Sequence, residues 1–243
     1  MDRVILNQKV ELGKEVLIEG PPLEALYFQG GRVGGLITLT DPEGNDFRGR
    51  VLRLSETEAS ILIFDAFPSP TEPSLEIILL QALPEKERME MIILKAAELG
   101  VSAIFPFQSE KSISLKEREA KQKKAHRWQQ IAVKAVRQSR RAKVPYVGEC
   151  RPFRELLGDC KEDGLKILLW EKEGRNLKSV LGQHSTQKIY VMVGPEGGFT
   201  DKEVKSAKER GFIPIKLGQR ILRTETAAIA LLGILQYELG DLA

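Results

Sequence analysis

The sequence predicts an α/β protein in two parts: a small β-rich domain, then a largely parallel sheet flanked by helices. Three observations support this. Residues 1–68 carry short apolar, β-branched runs separated by turn residues. Residues 67–74, Phe-Pro-Ser-Pro-Thr-Glu-Pro-Ser, hold three prolines in eight positions. From residue 75 onward, apolar runs of strand length alternate with stretches of helical period. With 243 residues, 42% of them hydrophobic, the chain has enough apolar material for a core, which excludes wholesale disorder.

In the first part, 15–19, 36–40 and 60–64 are the strand candidates, and Asp41-Pro42-Glu43-Gly44-Asn45-Asp46 is turn chemistry. Several short strands with closely spaced turns predict a small barrel. Proline at the density of 67–74 prevents helix continuation and stiffens the chain. The expected division is therefore a barrel domain at 1–68, a linker at 69–74 and a second domain at 75–243.

The second part offers strands at 75–80, 102–107, 165–170, 188–193 and 213–217. Helices are expected at 85–99, 116–141, about 200–210 and 224–239. The 85–99 helix puts Met89, Ile92, Ile93, Ala96 and Leu99 on one face and stops at Gly100. Thr200 followed by Glu203 has capping-box form, which fixes the start of the next helix.

The net charge of +3 conceals an asymmetry. Residues 111–143 carry 12 Lys/Arg against 2 Asp/Glu, leaving 25 against 32 elsewhere. An acidic body with one intensely basic segment predicts a localised surface for a polyanion, the alternative being a solvated charged helix. At roughly 100° per residue, Ile131, Ala132, Ala135 and Ser139 fall within about 60° of Trp128, a core-facing stripe. Lys123, Arg127, Lys134, Arg137 and Arg141 lie on the opposite side and are the candidate contacts to RNA phosphate. Arg3 joins them from the first domain. Five such contacts to single-stranded RNA would give a log–log salt slope of about −3.5, at about −0.7 per phosphate.

The predicted strand 188–193 runs directly into Gly194-Pro195-Glu196-Gly197-Gly198-Phe199. That places glycines at the carboxyl end of a strand, where α/β sheets bind ligands, although the same residues also suit a plain tight turn. A second loop, Leu217-Gly218-Gln219-Arg220-Ile221-Leu222-Arg223-Thr224-Glu225-Thr226-Ala227, opens the apolar last helix. A helix start presents free N–H groups and a positive dipole end to a carboxylate or phosphate, and Arg223 would add a charge-assisted donor. Alternatively, Arg223 and Glu225 pair with each other or with a neighbouring chain.

Other chemistries find little support. HExxH, GxSxG and Walker A sequences are absent. Gly30-Gly31-Arg32-Val33-Gly34-Gly35 is glycine-dense but no helix is expected after it. His126 and His184 have no second histidine at ligand spacing, so no metal is expected. Cys150 and Cys160 stand ten apart, which fits neither a redox pair nor zinc. No apolar run has membrane-spanning length and the N-terminus lacks a secretory pattern, so a soluble cytoplasmic protein is expected.

Taken together, 194–199 and 217–227 resemble the RsmE family of ribosomal RNA methyltransferases, of the SPOUT class. Lys95-Ala96-Ala97-Glu98-Leu99-Gly100-Val101, Arg127-Trp128, Gln138-Ser139-Arg140-Arg141 and Pro145 extend the likeness, which spans roughly 75–240. The resemblance implies a trefoil-knotted catalytic domain, a PUA-like barrel before it and an obligate homodimer. It also implies S-adenosyl-L-methionine as cofactor and methylation of uridine N3 in 16S ribosomal RNA of the small ribosomal subunit. Without it, the pattern alone predicts an ordinary open sheet, because knots are nearly absent from folds in general. Two features depart from the family pattern. Leu26-Tyr27-Phe28-Gln29-Gly30-Gly31-Arg32 stands where a His-rich stretch and a Val-Leu-Arg motif are usual, and Arg137 occupies a usually acidic position.

Under that resemblance three loops are expected to hold the cofactor. They are Leu169, Trp170 and Glu171; then Val193, Gly194, Pro195, Glu196, Gly197 and Gly198; then Leu217, Gly218, Ile221, Leu222, Arg223, Thr224, Thr226 and Ala227. Uridine N3 carries a weakly acidic proton that must leave before, or as, the nitrogen attacks a methyl group. Arg223 is the expected stabiliser of the uracil oxyanion, or a phosphate-positioning group, and Glu196 or Glu225 the proton acceptor or a ligand of cofactor hydroxyls. Ile229, Leu232 and Ile234 on the last helix are expected to offer apolar surface to a partner chain. The alternatives are a non-catalytic RNA-binding or ribosome-assembly protein of the same fold, and an enzyme of this class acting on another RNA.

Overall fold

Alternation of inward apolar and outward polar residues builds the first of two units into which the chain divides, Met1–Thr71 and Glu72–Ala243. The computed structural model describes residues 3–67, 72–113, 127–160, 163–183 and 186–242. The first unit contains β1 (Arg3–Ile5), β2 (Glu15–Ile18), α1 (Pro21–Phe28), β3 (Leu36–Thr40), β4 (Asp46–Leu54) and β5 (Ala59–Ala66). Its sheet runs in the order β1-β3-β4-β5-β2, antiparallel except for the β1–β3 pair. Val16, Ile18, Leu39, Val51, Ile61 and Ile63 pack with Leu23 and Leu26 of α1 into one core.

Strand β1, helix α1 and strand β4 escaped the sequence reading. Helix α1 begins with Pro21 and Pro22, residues that suggest a turn yet suit a first helical turn, where no N–H donor is needed. Strand β4 places Phe47, Gly49 and Val51 inward between Arg48 and Arg50. Glycine is required at 49, since a Cβ there would lie 2.4 Å from Ile61 Cγ2.

The second unit contains β6 (Glu76–Ala82), α2 (Lys86–Glu98), β7 (Ala103–Gln108), α3 (Arg127–Ser139), β8 (Tyr146–Val147), β9 (Arg151–Pro152) and α4 (Phe153–Asp159). It continues with β10 (Leu165–Leu169), β11 (Arg175–Asn176), α5 (Leu177–Leu181), β12 (Lys188–Val193), α6 (Asp201–Lys208), β13 (Ile213–Lys216) and α7 (Thr224–Leu239). The sheet order is β11-β13-β10-β12-β6-β7-β8, with β9 also paired to β7, and every pairing is parallel. Strand β12, late in the chain, lies between β6 and β10.

Because all strands are parallel, their carboxyl ends share one edge, and helices must cover both faces. On one face α2, α3 and α7 bury Met89, Ile92, Trp128, Ala132, Leu231 and Leu235. On the other, α4 and α6 bury Leu156, Leu157, Val204 and Ala207 against Phe107, Tyr190 and Met192. Strands β6 and β12, covered on both sides, accordingly carry the unbroken apolar runs Ile77–Leu80 and Ile189–Val193.

Three expectations about the helices need correction. The described part of the 116–141 helix ends at Ser139, because Arg140 takes a left-handed conformation with φ 60°. Arg141 therefore leaves the helical series on which it was placed. Leu232, expected on a partner-facing surface, is buried in the core of its own unit, while Ile234 remains exposed. Among the described residues, no helix is long and apolar enough to cross a membrane. Neither cysteine is in a disulfide among the described residues; burial pushes the Cys160 thiol up to about 11, against the charge of Lys166.

Candidate active site

A cavity of about 640 Å3 opens at the carboxyl edge of the second unit's sheet, beyond β10, β12 and β13. The sequence-predicted loops converge on it. Leu169, Trp170 and Glu171 line it, as do Val193, Gly194, Pro195, Glu196, Gly197 and Gly198. From the last loop, Leu217, Ile221, Leu222, Arg223, Thr224 and Ala227 take part. Gly218, Thr226 and Glu225 do not: Gly218 turns the chain out of β13 with φ 72°, and Thr226 is exposed on α7. Arg88, Phe199, Ile215, Lys216, Gln219 and Arg220 complete the wall and were not expected there. Gln219 and Arg220 lie inside the second motif loop, so their neighbours signalled them; Arg88, on the first turn of α2, had no motif around it.

The first loop is held from several sides. The Gly198 N–H donates to Pro195 O at 2.9 Å, closing the turn, and φ 67° at Gly198 is left-handed. A Cβ on Gly198 would lie 2.8 Å from Glu171 Oε1, so glycine is needed for space as well as conformation. Lys111 Nζ donates to Gly197 O at 2.9 Å. Phe199 is buried and stacks on Phe107, with ring centroids 6.3 Å apart. The capping box expected from Thr200 and Glu203 forms, and Glu203 Oε1 also accepts from the Glu110 N–H at 2.9 Å.

Glu196 lines the cavity but is engaged by the start of α2. Its Oε1 accepts from the Glu85 N–H at 2.9 Å and from Arg88 Nη1 at 3.0 Å. Glu85 is the N-cap of α2 and makes no side-chain cap of its own. A carboxylate from 111 residues further along the chain thus supplies the acceptor this helix start lacks. Glu225 faces the same arginine, with Arg88 Nε 3.9 Å from its Oε2, and not Arg223. Among the described residues the Arg223 side chain makes no hydrogen bond or ion pair; it is exposed at the N-cap of α7.

The two motif loops are joined directly. Thr224 Oγ1 donates to Gly194 O at 2.6 Å and accepts from Gln81 Nε2 at 3.1 Å. Trp170, on the third loop, is fixed by its backbone N–H to Ile215 O at 3.0 Å, and the ammonium groups of Lys172 and Lys208 stand 5.9 Å and 5.6 Å from its ring centroid. The result is a partly apolar recess edged by glycine backbone, with cationic side chains at its mouth. Such a recess accommodates an adenosyl group and a charged amino-acid tail. Among the described residues, no three His, Cys, Asp or Glu side chains are grouped to hold a metal.

The basic stripe separates into three kinds of residue. Lys134 and Arg137 are exposed on the outer face of α3. Arg127 Nε stands 3.3 Å from Glu90 Oε1, and in the first unit Arg3 Nη1 stands 3.1 Å from Asp46 Oδ2; both arginines stay partly exposed. Arg141 is a different case, because its side chain is only 7% exposed and is bound to Glu72, so it is unavailable to phosphate. Lys123 lies outside the described residues.

Comparison with known proteins fits this architecture. A model of the RNA methyltransferase domain matches residues 71–236. The chain is 35% identical over 182 residues to ribosomal RNA small subunit methyltransferase E of Mesomycoplasma hyopneumoniae, covering 75% of this chain and 78% of that one. It is 30% identical over 214 residues to the Bacillus subtilis protein of the same name, covering 84% and 82%. Among solved structures, the Neisseria gonorrhoeae methyltransferase E bound to S-adenosyl methionine matches over 100% of both chains at 33% identity and TM-score 0.70. A Legionella pneumophila methyltransferase in complex with the same cofactor matches over 99% of both, at 30% identity and TM-score 0.70. The fold class expected from the resemblance is met in a parallel α/β sheet flanked by helices that matches RsmE and SPOUT methyltransferases, preceded in the chain by a small barrel-like sheet. With most of its length matched in sequence and all of it in structure, the chain belongs to the ribosomal RNA small subunit methyltransferase E (RsmE) family.

Proposed function

We propose that this protein transfers the methyl group of S-adenosyl-L-methionine to N3 of a uridine in 16S ribosomal RNA, acting as a cytoplasmic homodimer. The observation that carries the reading is the junction of the two motif loops, Thr224 to Gly194, at the edge of a cavity of about 640 Å3. The residues fit the cofactor: glycine backbone at 194, 197 and 198 allows close approach, and Leu169, Leu217 and Leu222 provide apolar wall. When bound, S-adenosylmethionine supplies a methyl group already activated on a sulfonium, so the protein's task is positioning and charge.

Backbone groups of 193–198, 217–224 and Leu169–Glu171 hold the cofactor. Arg223, exposed at the start of α7, stabilises the negative charge that develops on the uracil as its N3 proton leaves. Glu196 is a structural anchor, because its Oε1 already accepts two donors from the start of α2. Glu225 lies outside the cavity wall with its Oε2 3.9 Å from Arg88 Nε, so neither glutamate is assigned as the base and the N3 proton passes to solvent. Lys134 and Arg137 on α3 bind RNA phosphate, which gives affinity without sequence choice. Ile221, Ile234 and Tyr237, exposed by 86%, 39% and 62%, are the apolar surface that a second copy covers.

Mass spectrometry of ribosomal RNA from a strain lacking the gene tests the whole reading. A missing 3-methyluridine, restored by the gene in trans, is the expected outcome. An unchanged modification profile, together with no calorimetric binding at millimolar S-adenosylmethionine, would make the protein a non-catalytic RNA-binding relative.

A further inference from the structure

Gln81 lies outside both motif loops, and its side chain is completely buried near the carboxyl end of β6. Its neighbours Leu79, Leu80 and Ala82 are apolar and equally buried, so an amide here needs a reason. Burying a polar side chain costs several kcal/mol in general unless it is hydrogen-bonded. Gln81 Nε2 makes two bonds, to Ala82 O at 3.0 Å and to Thr224 Oγ1 at 3.1 Å, while Oε1 has no hydrogen-bond partner among the described residues. The first bond fixes the orientation of the amide, since a carbonyl oxygen only accepts and the nitrogen must face it.

That orientation sets the direction of the next bond. The Thr224 hydroxyl, accepting from the amide, directs its one proton to Gly194 O at 2.6 Å. The chain therefore runs one way, from Gln81 through Thr224 to Gly194. It links β6 to the first residue of α7 and to the first residue of the glycine-rich turn. Thr224 and Gly194 both line the cavity, whereas Gln81 does not.

We propose that Gln81 is a positioning residue for methyl transfer: by ordering the Thr224 proton it locks the two motif loops into the arrangement that binds the methyl donor. The proposal rests on the reading of this cavity as the S-adenosylmethionine site. A residue of this kind controls donor affinity more than chemistry, because it touches neither donor nor RNA.

The test uses the full-length protein with Gln81→Met, Thr224→Val and the double variant. Donor dissociation constants come from calorimetry with S-adenosylmethionine, and kcat and KM from methyl transfer to small-subunit RNA. Gln81→Met is expected to weaken donor binding at least tenfold while kcat at saturating donor falls less than threefold. The double variant should be no more than threefold worse than the weaker-binding single variant, because both changes cut the same chain. Should Gln81→Met fail to fold, Thr224→Val tests the same chain from the helix side through donor affinity alone. Unchanged donor affinity in either folded variant overturns the proposal, as do fully additive losses in the double. A wild-type protein that binds no donor would instead overturn the assignment of the cavity.

Discussion

Arg141 Nη2 stands 2.7 Å from Glu72 Oε2, and the same guanidinium donates to Ala97 O at 2.7 Å and Val101 O at 3.0 Å. One side chain thus ties the start of the second unit to the carbonyls at the end of α2. Arg141→Met leaves the Glu72 carboxylate and two carbonyls without their donor in a largely buried place. The expected loss is about 3–5 kcal/mol, read by urea unfolding of the second unit's transition. Acidity gives a second reading. Burial raises the Glu72 carboxyl, but the hydrogen bonds from Arg141 and the Lys143 N–H and the guanidinium charge outweigh it, holding it below the ordinary 4.5. A carboxyl lowered on folding contributes stability that is complete above its unfolded value and is lost as pH falls through the folded one. Stability should therefore decline below about pH 4.5 in the wild type, and this component should be missing in Glu72→Gln.

The same burial changes the expected response of RNA binding to salt. With Arg141 withdrawn and Arg127 paired to Glu90, the exposed Lys134 and Arg137 should together contribute about −1.4 to the log–log slope for single-stranded RNA, against about −3.5 for the full stripe, at about −0.7 per phosphate. Lys134→Ala and Arg137→Ala should each flatten it by about 0.7, measured by fluorescence anisotropy across a salt series. Neither substitution should move the unfolding midpoint by more than about 0.5 kcal/mol, since both side chains are exposed. A slope that ignores both residues would place the RNA on another face.

What the sequence made legible follows from the physics of each signal. Helix α2 was readable because a period of 3.6 residues persists over it and Gly100 marks its end, α6 from the Thr200–Glu203 capping box, and α7 as a long apolar run that stops before Gly240. The buried strands β6 and β12 were readable as unbroken apolar runs. The helix α4 has seven residues and α5 five, and β8, β9 and β11 have two each, too short for any period to be distinguished from chance. Contacts between distant segments were invisible for a different reason. Gln81 falls just beyond the predicted strand 75–80, and nothing local joins it to Thr224, 143 residues away. Arg141 was misplaced because an ideal helical wheel was continued past Ser139, where Arg140 breaks the geometry. The cavity loops were legible as motifs, whereas Arg88, which faces both Glu196 and Glu225, belongs to neither motif.

Glu196 should behave as a helix cap and loop anchor. Glu196→Ala removes the acceptor at the start of α2 and is expected to cost about 1 kcal/mol of stability, with weaker donor binding as the turn loosens. Glu196→Gln keeps an oxygen acceptor for the Glu85 N–H and should retain kcat within about threefold, with an unaltered pH–rate profile. Loss of the profile's acid limb together with a hundredfold fall in kcat would return Glu196 to the role of general base.

Arg223 should act on the transition state. Its guanidinium has no partner among the described residues, it stands at the positive end of α7, and it lines the cavity. Glu225, one turn position beyond Thr224, is turned to Arg88, so an internal Arg223–Glu225 pair does not occupy it. A cation held ready beside a forming uracil anion stabilises charge that is absent from the ground state, and its removal should therefore lower kcat rather than donor affinity. Arg223→Ala is expected to reduce methyl transfer more than a hundredfold, at least about 2.7 kcal/mol, while donor affinity stays within about tenfold. Arg223→Lys keeps the charge but not the planar fork of donors, and should recover part of the rate. Single-turnover methyl transfer and calorimetry on the same preparations separate the two quantities. Equal losses in both would make Arg223 a cofactor ligand, and the charge on uracil would then have to be met by Arg220 or Lys216, the other cations of the cavity wall beyond β12.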